Sequence, residues 1–274
     1  MSSGRADLHS HTTYSDGTMT PQELVQEAVR ADLSVLAVTD HDCIDGIAEA
    51  AQAATNGLEI LPGTEISTAF KRVELHILGL CIDPEDAQLK EQLTEIREGR
   101  IRRLRKMLDC LKQFDIEISE EEVMELSGHG TVGRPHVARA LVAHKVVKTP
   151  EEAFNRFLAD DKPCFVQGAK LTPKAAVKMI RSAGGVAVLA HPGRLVPAEW
   201  MPELLEAGIQ GVEAFHPDHN KQLSDHYCDY AKEHNLVISG GSDAHGHWKT
   251  KGPKVGDVTV PIDLVDKLKH VAKA

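Results

Sequence analysis

The sequence predicts an α/β fold, a closed barrel that carries a helical insertion. Short apolar runs ending in His, Asp or Glu recur along the chain, and helical segments with clear start signals separate most of them. That alternation breaks once, between about residues 86 and 163, where helical patterns alone follow one another.

The first strand holds Asp7-Leu8-His9-Ser10-His11. Ser34-Val35-Leu36-Ala37-Val38 then runs into Thr39-Asp40-His41, and Leu58-Glu59-Ile60-Leu61 leads to Gly63-Thr64-Glu65. Glu74-Leu75-His76-Ile77-Leu78 follows soon after. Later, Val186 to Ala190 ends at His191, Gly211-Val212-Glu213-Ala214-Phe215 ends at His216, and Val237-Ile238-Ser239 leads to Ser242-Asp243-Ala244-His245. Thr20-Pro21-Gln22-Glu23 is a capping box with proline at the first helical position, and Thr172-Pro173 opens a second helix. About seven such units imply a parallel sheet that closes on itself. The barrel is discontinuous, residues 1–86 and 164–274. Residues 87–163 form the insertion: a long helix through Leu104 and Leu111, then starts at Ser119-Glu120-Glu121-Glu122, Pro135 and Thr149-Pro150.

At 274 residues and 42% hydrophobic, the chain is long and apolar enough to bury a core. Its five cysteines are scattered, without a CxxC pair, which argues against a disulfide framework and a cysteine zinc site. The N-terminus has no apolar stretch of the signal-peptide kind, and no run is long enough to span a bilayer. A soluble, cytoplasmic protein in a reducing compartment is expected. The net charge of −10 disfavours a protein that coats nucleic acid and favours a small anionic substrate or one end of a chain.

The polar residues gather where strands end, the face on which β/α barrels do chemistry. With a period of two, His9 and His11 project to one side, as two ligands of one ion should. Asp16, His41, Glu65, His76, His191, Asp243 and His245 complete the set. A single His after a strand is more often a cap or a rim residue. That reading is kept for Asp42, Asp45, His129, His144, His226, His234, His247 and His270. Imidazole or carboxylate at nearly every strand end, with apolar residues elsewhere, points to metal chemistry.

Asp-Leu-His-Ser-His with Asp16-Gly17, Thr39-Asp40-His41, Ala190-His191-Pro192 and Gly241-Ser242-Asp243-Ala244-His245 resemble the four motifs of the PHP (polymerase and histidinol phosphatase) phosphoesterases. Gly133-Arg134-Pro135-His136 and the Gly184-to-Pro192 run resemble its stand-alone bacterial members, the nucleoside 3′,5′-bisphosphate phosphatases and the 5′→3′ exoribonuclease ribonuclease AM. The resemblance implies a distorted seven-stranded barrel of the (β/α)7 type and a cluster of about two or three divalent ions. His9, His11, Glu65 and Asp243 would hold one. Glu65, His76 and His191 would hold a second, and Asp16, His41 and His245 a third. Some relatives have His where this chain has Asp16, and a carboxylate there favours Mn²⁺ over Zn²⁺, with Fe²⁺ also compatible. Asp40 is expected to orient a ligating imidazole. Asp16, His41, Glu65, His191 and Asp243 are the candidate catalytic residues.

The expected chemistry is in-line attack by metal-bound hydroxide without a covalent enzyme intermediate, since no GxSxG elbow appears and no cysteine sits beside a suggestive base. A bisphosphate needs a second anion site. Arg134 and His136 sit at a predicted helix start, where free N–H groups favour phosphate, and His219, with His216 second, lies beyond a strand end. The basic run Arg97, Arg100, Arg102, Arg103, Arg105, Lys106 reads as a solvated helix face or a guide for RNA. The leading expectation is removal of the 3′-phosphate from nucleoside 3′,5′-bisphosphates. The same site could trim 5′-phosphorylated short RNA or RNA 5′ ends. A histidinol-phosphate phosphatase, a binding module that has lost activity and an amidohydrolase are weaker alternatives; the last often uses a bridging lysine, and no strand end carries one. No membrane association or obligate protein partner is expected.

Overall fold

Strands built wholly of apolar residues must be covered on both faces, and the buried runs of this chain are. The computed structural model describes residues 4–71, 73–128, 130–168, 171–193, 196–246 and 252–273. Eight strands form one sheet: β1 (Arg5–Asp7), β2 (Val35–Val38), β3 (Glu59–Phe70), β4 (Val73–Leu80), β5 (Val186–Leu189), β6 (Gly211–Phe215), β7 (Val237–Gly240) and β8 (Val260–Pro261), in the order β7-β6-β5-β4-β3-β2-β1-β8. Every residue of β2 and β5 is buried. Alternate residues serve different clusters. Leu36 and Val38 pack towards the surrounding helices, whereas Val35 and Ala37 join Leu8, Val188, Val265 and Leu268 in a second, inner cluster.

The sheet is not wholly parallel, as the repeating units had suggested. β1-β2-β3 and β5-β6-β7 are parallel, but β4 runs antiparallel to both β3 and β5, and β8 antiparallel to β1. The cause is the short link after Phe70, which is too brief for a crossover helix, so β3 folds straight back as a hairpin. Its register sets Ser67 opposite His76 and Glu65 opposite Leu78.

Beyond β7 the chain rejoins β1. Leu8 N–H donates to the Gly240 carbonyl at 3.2 Å, Asp243 N–H to that of His9 at 2.9 Å and His11 N–H to that of Ala244 at 3.0 Å. Ser10 and Ala244 form a parallel bridge, so the barrel is nearly closed. Gly241 makes this approach possible, because a Cβ there would lie 2.4 Å from His9 N.

The helices are α1 (Pro21–Arg30), α2 (Ile47–Ala53), α3 (Ala87–Lys112), α4 (Glu120–Ser127), α5 (Arg134–Ala143), α6 (Pro150–Ala153), α7 (Pro173–Ser182), α8 (Met201–Glu206), α9 (Lys221–Glu233) and α10 (Ile262–Ala272). The capping box at Thr20 and Glu23 forms on both sides, and the Thr172 side chain accepts from Ala175 N–H. None of the described helices is long and apolar enough to cross a membrane. Helices α3 to α6 share a hydrophobic cluster of their own, including Leu104, Met107, Leu111, Val137, Leu141 and Phe157. Within it lies a disulfide between Cys110 and Cys164, 54 residues apart, although the scattered cysteines had argued against a disulfide framework. The end of α3 and the chain leaving α6 are brought together only by tertiary packing, so no local spacing could announce the pair. Cys43, Cys81 and Cys228 are free.

Asp7 ties the seam. Fully buried, its Oδ1 accepts from Ser242 N–H at 2.9 Å and His9 N–H at 3.3 Å, and its Oδ2 accepts from Gly256 N–H at 2.9 Å. Removing the carboxylate orphans buried donors, each costing about 1–3 kcal/mol. Asp7→Ala is therefore expected to lose about 2–5 kcal/mol in urea denaturation with little change in slope, and Asp7→Asn, which keeps one acceptor oxygen, to lose less. Equal stability of Asp7→Ala and wild type would show that the seam is held elsewhere.

Candidate metal centre

Glu65, on β3, is buried beneath a ring of imidazoles. Its Oε2 lies 3.1 Å from His41 Nδ1, 3.2 Å from His11 Nε2 and 3.3 Å from His9 Nε2. Its Oε1 lies 2.9 Å from both His76 Nδ1 and His191 Nε2. The five imidazoles arrive from four strands. His9 and His11 share a face by the strand period, His41 follows β2 and bridges to Glu65, His76 comes from the returning hairpin strand, and His191 follows β5. Asp243 Oδ1 faces His11 Nε2 at 3.1 Å and His9 Nε2 at 3.3 Å, and Asp16 Oδ1 faces His245 Nε2 at 3.2 Å. His191 and Asp243 hold positive φ, +23° and +50°, a region that residues with side chains enter at an energetic cost.

Among the described residues, three groups have ligand atoms close enough to share an ion: His9, His11, Glu65, Asp243; His11, Asp16, His41, His245; and His41, Glu65, His76. The first is the set expected for one ion. The second adds His11 to the expected trio. The third holds His41 in place of His191, which still meets the same Glu65 oxygen as His76.

The chemistry of these atoms fits cations. His9 Nε2, His11 Nε2, His41 Nδ1, Asp16 Oδ1 and Glu65 Oε2 are all buried without a hydrogen-bond partner. So many converging orphans would be costly unless something positive lies between them. Imidazole nitrogen mixed with carboxylate oxygen suits divalent Mn, Fe or Zn. Burial alone would raise the carboxyls of Glu65, Asp243 and Asp16, but the surrounding imidazoles outweigh it and hold all three well below the usual range. Burial likewise disfavours protonated His11 and His76, yet Asp243 and Glu65 push His11 up to about 10, and Glu65 and Glu74 push His76 up to about 10.

Around this centre lie residues that hold it. Asp40 does not touch an imidazole as expected. It accepts from Thr12 N–H at 2.8 Å and from the Ser15 hydroxyl at 2.6 Å, and Ser15 Oγ stands 3.3 Å from His11 Nδ1, so its reach is indirect. Glu213 on β6 was not among the expected site residues, yet it contacts His9 Nδ1 at 3.0 Å and accepts from His191 N–H at 2.7 Å. A charged residue in the middle of an apolar strand was the available signal.

Beside the centre opens a cavity of about 170 Å³. Asp16, His41 and His76 of the centre line it together with Arg100, Arg103, Arg134, Gly133 and Phe154. Arg100 Nε–H donates to Asp42 at 2.7 Å and Arg100 Nη2–H to Ser67 Oγ at 2.8 Å. Asp42 is thus a fully buried partner of an arginine rather than the rim residue expected. Arg103 Nε–H donates to the Val166 carbonyl at 2.6 Å; burial lowers Arg103 to about 10, still charged at neutral pH. Arg134 pairs with Asp160 at 2.8 Å and Glu74 at 3.4 Å, against the rings of Phe154 and Phe165. The basic run therefore divides. Arg100 and Arg103 turn inward, while Arg97, Arg102 and Arg105 pair with Asp45, Glu98 and Glu120 outside.

The other expected substrate residues are placed differently. His136 is fully buried in the first turn of α5, where its Nδ1 accepts from Gly133 N–H at 3.0 Å, and burial pushes it down to about 4. His219 has both nitrogens engaged with backbone, Nε2 accepting from Gly193 N–H and Nδ1 donating to the Ala214 carbonyl, each at 3.0 Å, so no nitrogen is left for phosphate. His216, ranked behind it, stands nearer the centre, 3.4 Å from Asp243 Oδ2. His144 pairs with Glu122, His226 and His270 lie on α9 and α10, His234 caps α9, and none of them belongs to the ligand groups found among the described residues. His129 and His247 lie outside the described residues.

The sequence signature of the PHP domain matches residues 7–153, just over half of the chain. The chain is 38% identical over 246 residues to the 3′,5′-nucleoside bisphosphate phosphatase of Chromobacterium violaceum, covering 87% of this chain and 86% of that one. It is 35% identical over 247 residues to the 5′-3′ exoribonuclease Rnm of Escherichia coli, covering 87% and 84%. A crystal structure from Bifidobacterium adolescentis, assigned as a metal-dependent phosphoesterase, superimposes with a TM-score of 0.88 at 32% identity, over 96% of this chain and 94% of that one.

Because carboxylates hold protons on His11 and His76 up to about 10, a cation entering at neutral pH must displace them. Calorimetric titration with Mn²⁺ in buffers of different ionisation enthalpy is expected to show release of about one proton or more per ion, with affinity rising from pH 6 to 8. Binding heats independent of the buffer would contradict this description of the centre.

Proposed function

The chain belongs to the PHP domain family, and from that premise we propose that this phosphoesterase removes the 3′-phosphate from nucleoside 3′,5′-bisphosphates, using divalent ions held by the strand-end histidines and carboxylates. One observation carries the choice of substrate. The imidazole–carboxylate centre opens directly into a cavity walled by three arginines, so two anionic groups of one small molecule have separate places.

His9, His11, Glu65 and Asp243 would hold one ion; His11, Asp16, His41 and His245 another; Glu65, His76 and His191, with His41 at hand, a third. Such ions lower the pKa of water towards neutrality and neutralise the phosphoryl oxygens. Mn²⁺ is the preferred ion, since Asp16 adds a hard oxygen ligand. The chain itself supplies position. Arg100, Arg103 and Arg134 bind the phosphate that is retained. Asp42 fixes Arg100, and Glu74 sits between Arg103, Arg134 and His76. All three arginines come from the 87–163 segment and all the ligands from the remainder. We take that segment as a separate helical unit placed over the barrel's reacting end.

A second reading shares the site. The arginine wall can receive the 5′-phosphate of a nucleotide or of an RNA end, and the Escherichia coli relative is an exoribonuclease. A substrate with one phosphate, such as histidinol phosphate, leaves the arginines unmatched.

Two tests follow from these assignments. Chelation should abolish phosphate release from a nucleoside 3′,5′-bisphosphate, and Mn²⁺ should restore it; full activity of stripped protein would refute the metal-dependent scheme. Arg134→Ala removes a charge-assisted contact worth about 1.5–3 kcal/mol, which raises KM for the bisphosphate about ten- to a hundredfold if ground and transition states are affected equally. A substrate with the reacting phosphate alone should change much less. Equal losses on both would place Arg134 on the reacting phosphate or in the framework. Running the assay beside 5′-phosphorylated short RNA ranks the two readings.

A further inference from the structure

Glu213 lies at the middle of β6, in the run Gly-Val-Glu-Ala-Phe, and is fully buried. A buried carboxylate in an apolar strand persists only if its oxygens are used. Oε1 lies 3.0 Å from His9 Nδ1, and Oε2 accepts from the backbone N–H of His191 at 2.7 Å. The His9 ring turns its opposite nitrogen to Glu65, Nε2 lying 3.3 Å from Oε2, and His191, held by its backbone, turns its own Nε2 to Oε1 at 2.9 Å. His191 also sits at φ +23°, a conformation its neighbours must impose. Two residues later the Gly193 peptide is clasped by His219 Nε2 and by the Tyr227 hydroxyl, which donates to its carbonyl at 2.7 Å.

We infer that Glu213 is a positioning residue that prepares two ligands at once, holding the proton of His9 on Nδ1 and pinning the His191 backbone, so that both rings offer Nε2 to the cations. The inference rests on the metal reading of the centre and not on the identity of the substrate. Glu213 belongs to none of the ligand groups found among the described residues, so it acts through His9 and His191. A glutamine cannot replace it. Its single carbonyl oxygen accepts from one of the two donors, and its NH₂ then faces the other. If the oxygen keeps His191, His9 Nδ1 becomes an acceptor, and its proton moves to Nε2, where a metal must bind.

The test uses the whole protein and no substrate. Glu213→Gln should keep the wild-type near-ultraviolet circular dichroism and melting profile in chelator, yet bind Mn²⁺ about ten- to a hundredfold more weakly by calorimetry. Wild-type protein with ¹⁵N-labelled histidine and ¹¹³Cd²⁺ should show metal–nitrogen coupling at Nε2 of His9 and His191, with a proton on His9 Nδ1. A role in packing alone would leave the ring tautomer and the Mn²⁺ affinity untouched. Coordination of His9 through Nδ1, or wild-type affinity in a folded Glu213→Gln, overturns the inference. Should that variant fail to fold, the wild-type cadmium spectrum decides. Failure of phosphate release with Nε2 coordination intact would instead defeat the substrate assignment and support this one.

Discussion

One buried carboxylate in contact with five imidazoles is the constraint around which the rest is arranged. Glu65 cannot satisfy His9, His11, His41, His76 and His191 by hydrogen bonding, since two oxygens have too few lone pairs directed correctly, and three of those nitrogens face it without a bond. Asp243 and Asp16 add further negative charge a few ångströms away. Left alone, such a cluster holds either repelling carboxylates or protons on its histidines. Divalent ions resolve both at once, which is why the donor set itself argues for metal.

Holding that cluster open against collapse falls to the backbone. The β3–β4 hairpin is the decisive departure from a regular β/α repeat, for it returns His76 to the level of Ser67, within reach of Glu65. A helical crossover would have sent the next strand's ligand in from a separate unit. The seam between β1 and the chain after β7 does the same for His9, His11 and Asp243, with Gly241 permitting contact and Asp7 satisfying the N–H groups exposed by it. Stability and ligand geometry are therefore coupled at Asp7 and Gly241, although neither is placed among the ligands.

The candidate ligands were legible in the sequence because most of them stand at the end of an apolar run, and because HxH on a strand can point only one way. What was hidden depends on contacts between distant segments. The direction of β4 follows from the length of the link after Phe70 rather than from the residues of β4, which read equally well as a parallel strand. The Cys110–Cys164 pair follows from how α3 packs. Arg100 and Arg103 were more readable than the smooth basic run suggested. They lie four and one residues before Leu104, on the helix face that continues through Met107 and Leu111, and charged residues on a buried face announce buried partners. Asp42 is that partner for Arg100, and its own neighbours Asp40 and His41 masked it as one more rim residue. For His219 the reverse holds, since its position after a strand says nothing about the two backbone groups that engage its ring.

Charge placement also reconciles an acidic chain with an anionic substrate. A net charge of −10 describes the field far from the protein, but a ligand in the cavity meets what lies within a few ångströms. There the carboxylates of the centre face imidazoles and, when loaded, cations, while Asp42, Glu74 and Asp160 are already committed to Arg100, Arg103 and Arg134. On the proposed assignment, these pairs keep the guanidinium groups in place before a phosphate arrives, and so reduce the side-chain entropy lost on binding. They also set a threshold. Only a ligand that returns more than the arginines give up in releasing or sharing their carboxylates gains by entering, and a second phosphate on the same small molecule meets that condition where a neutral group does not.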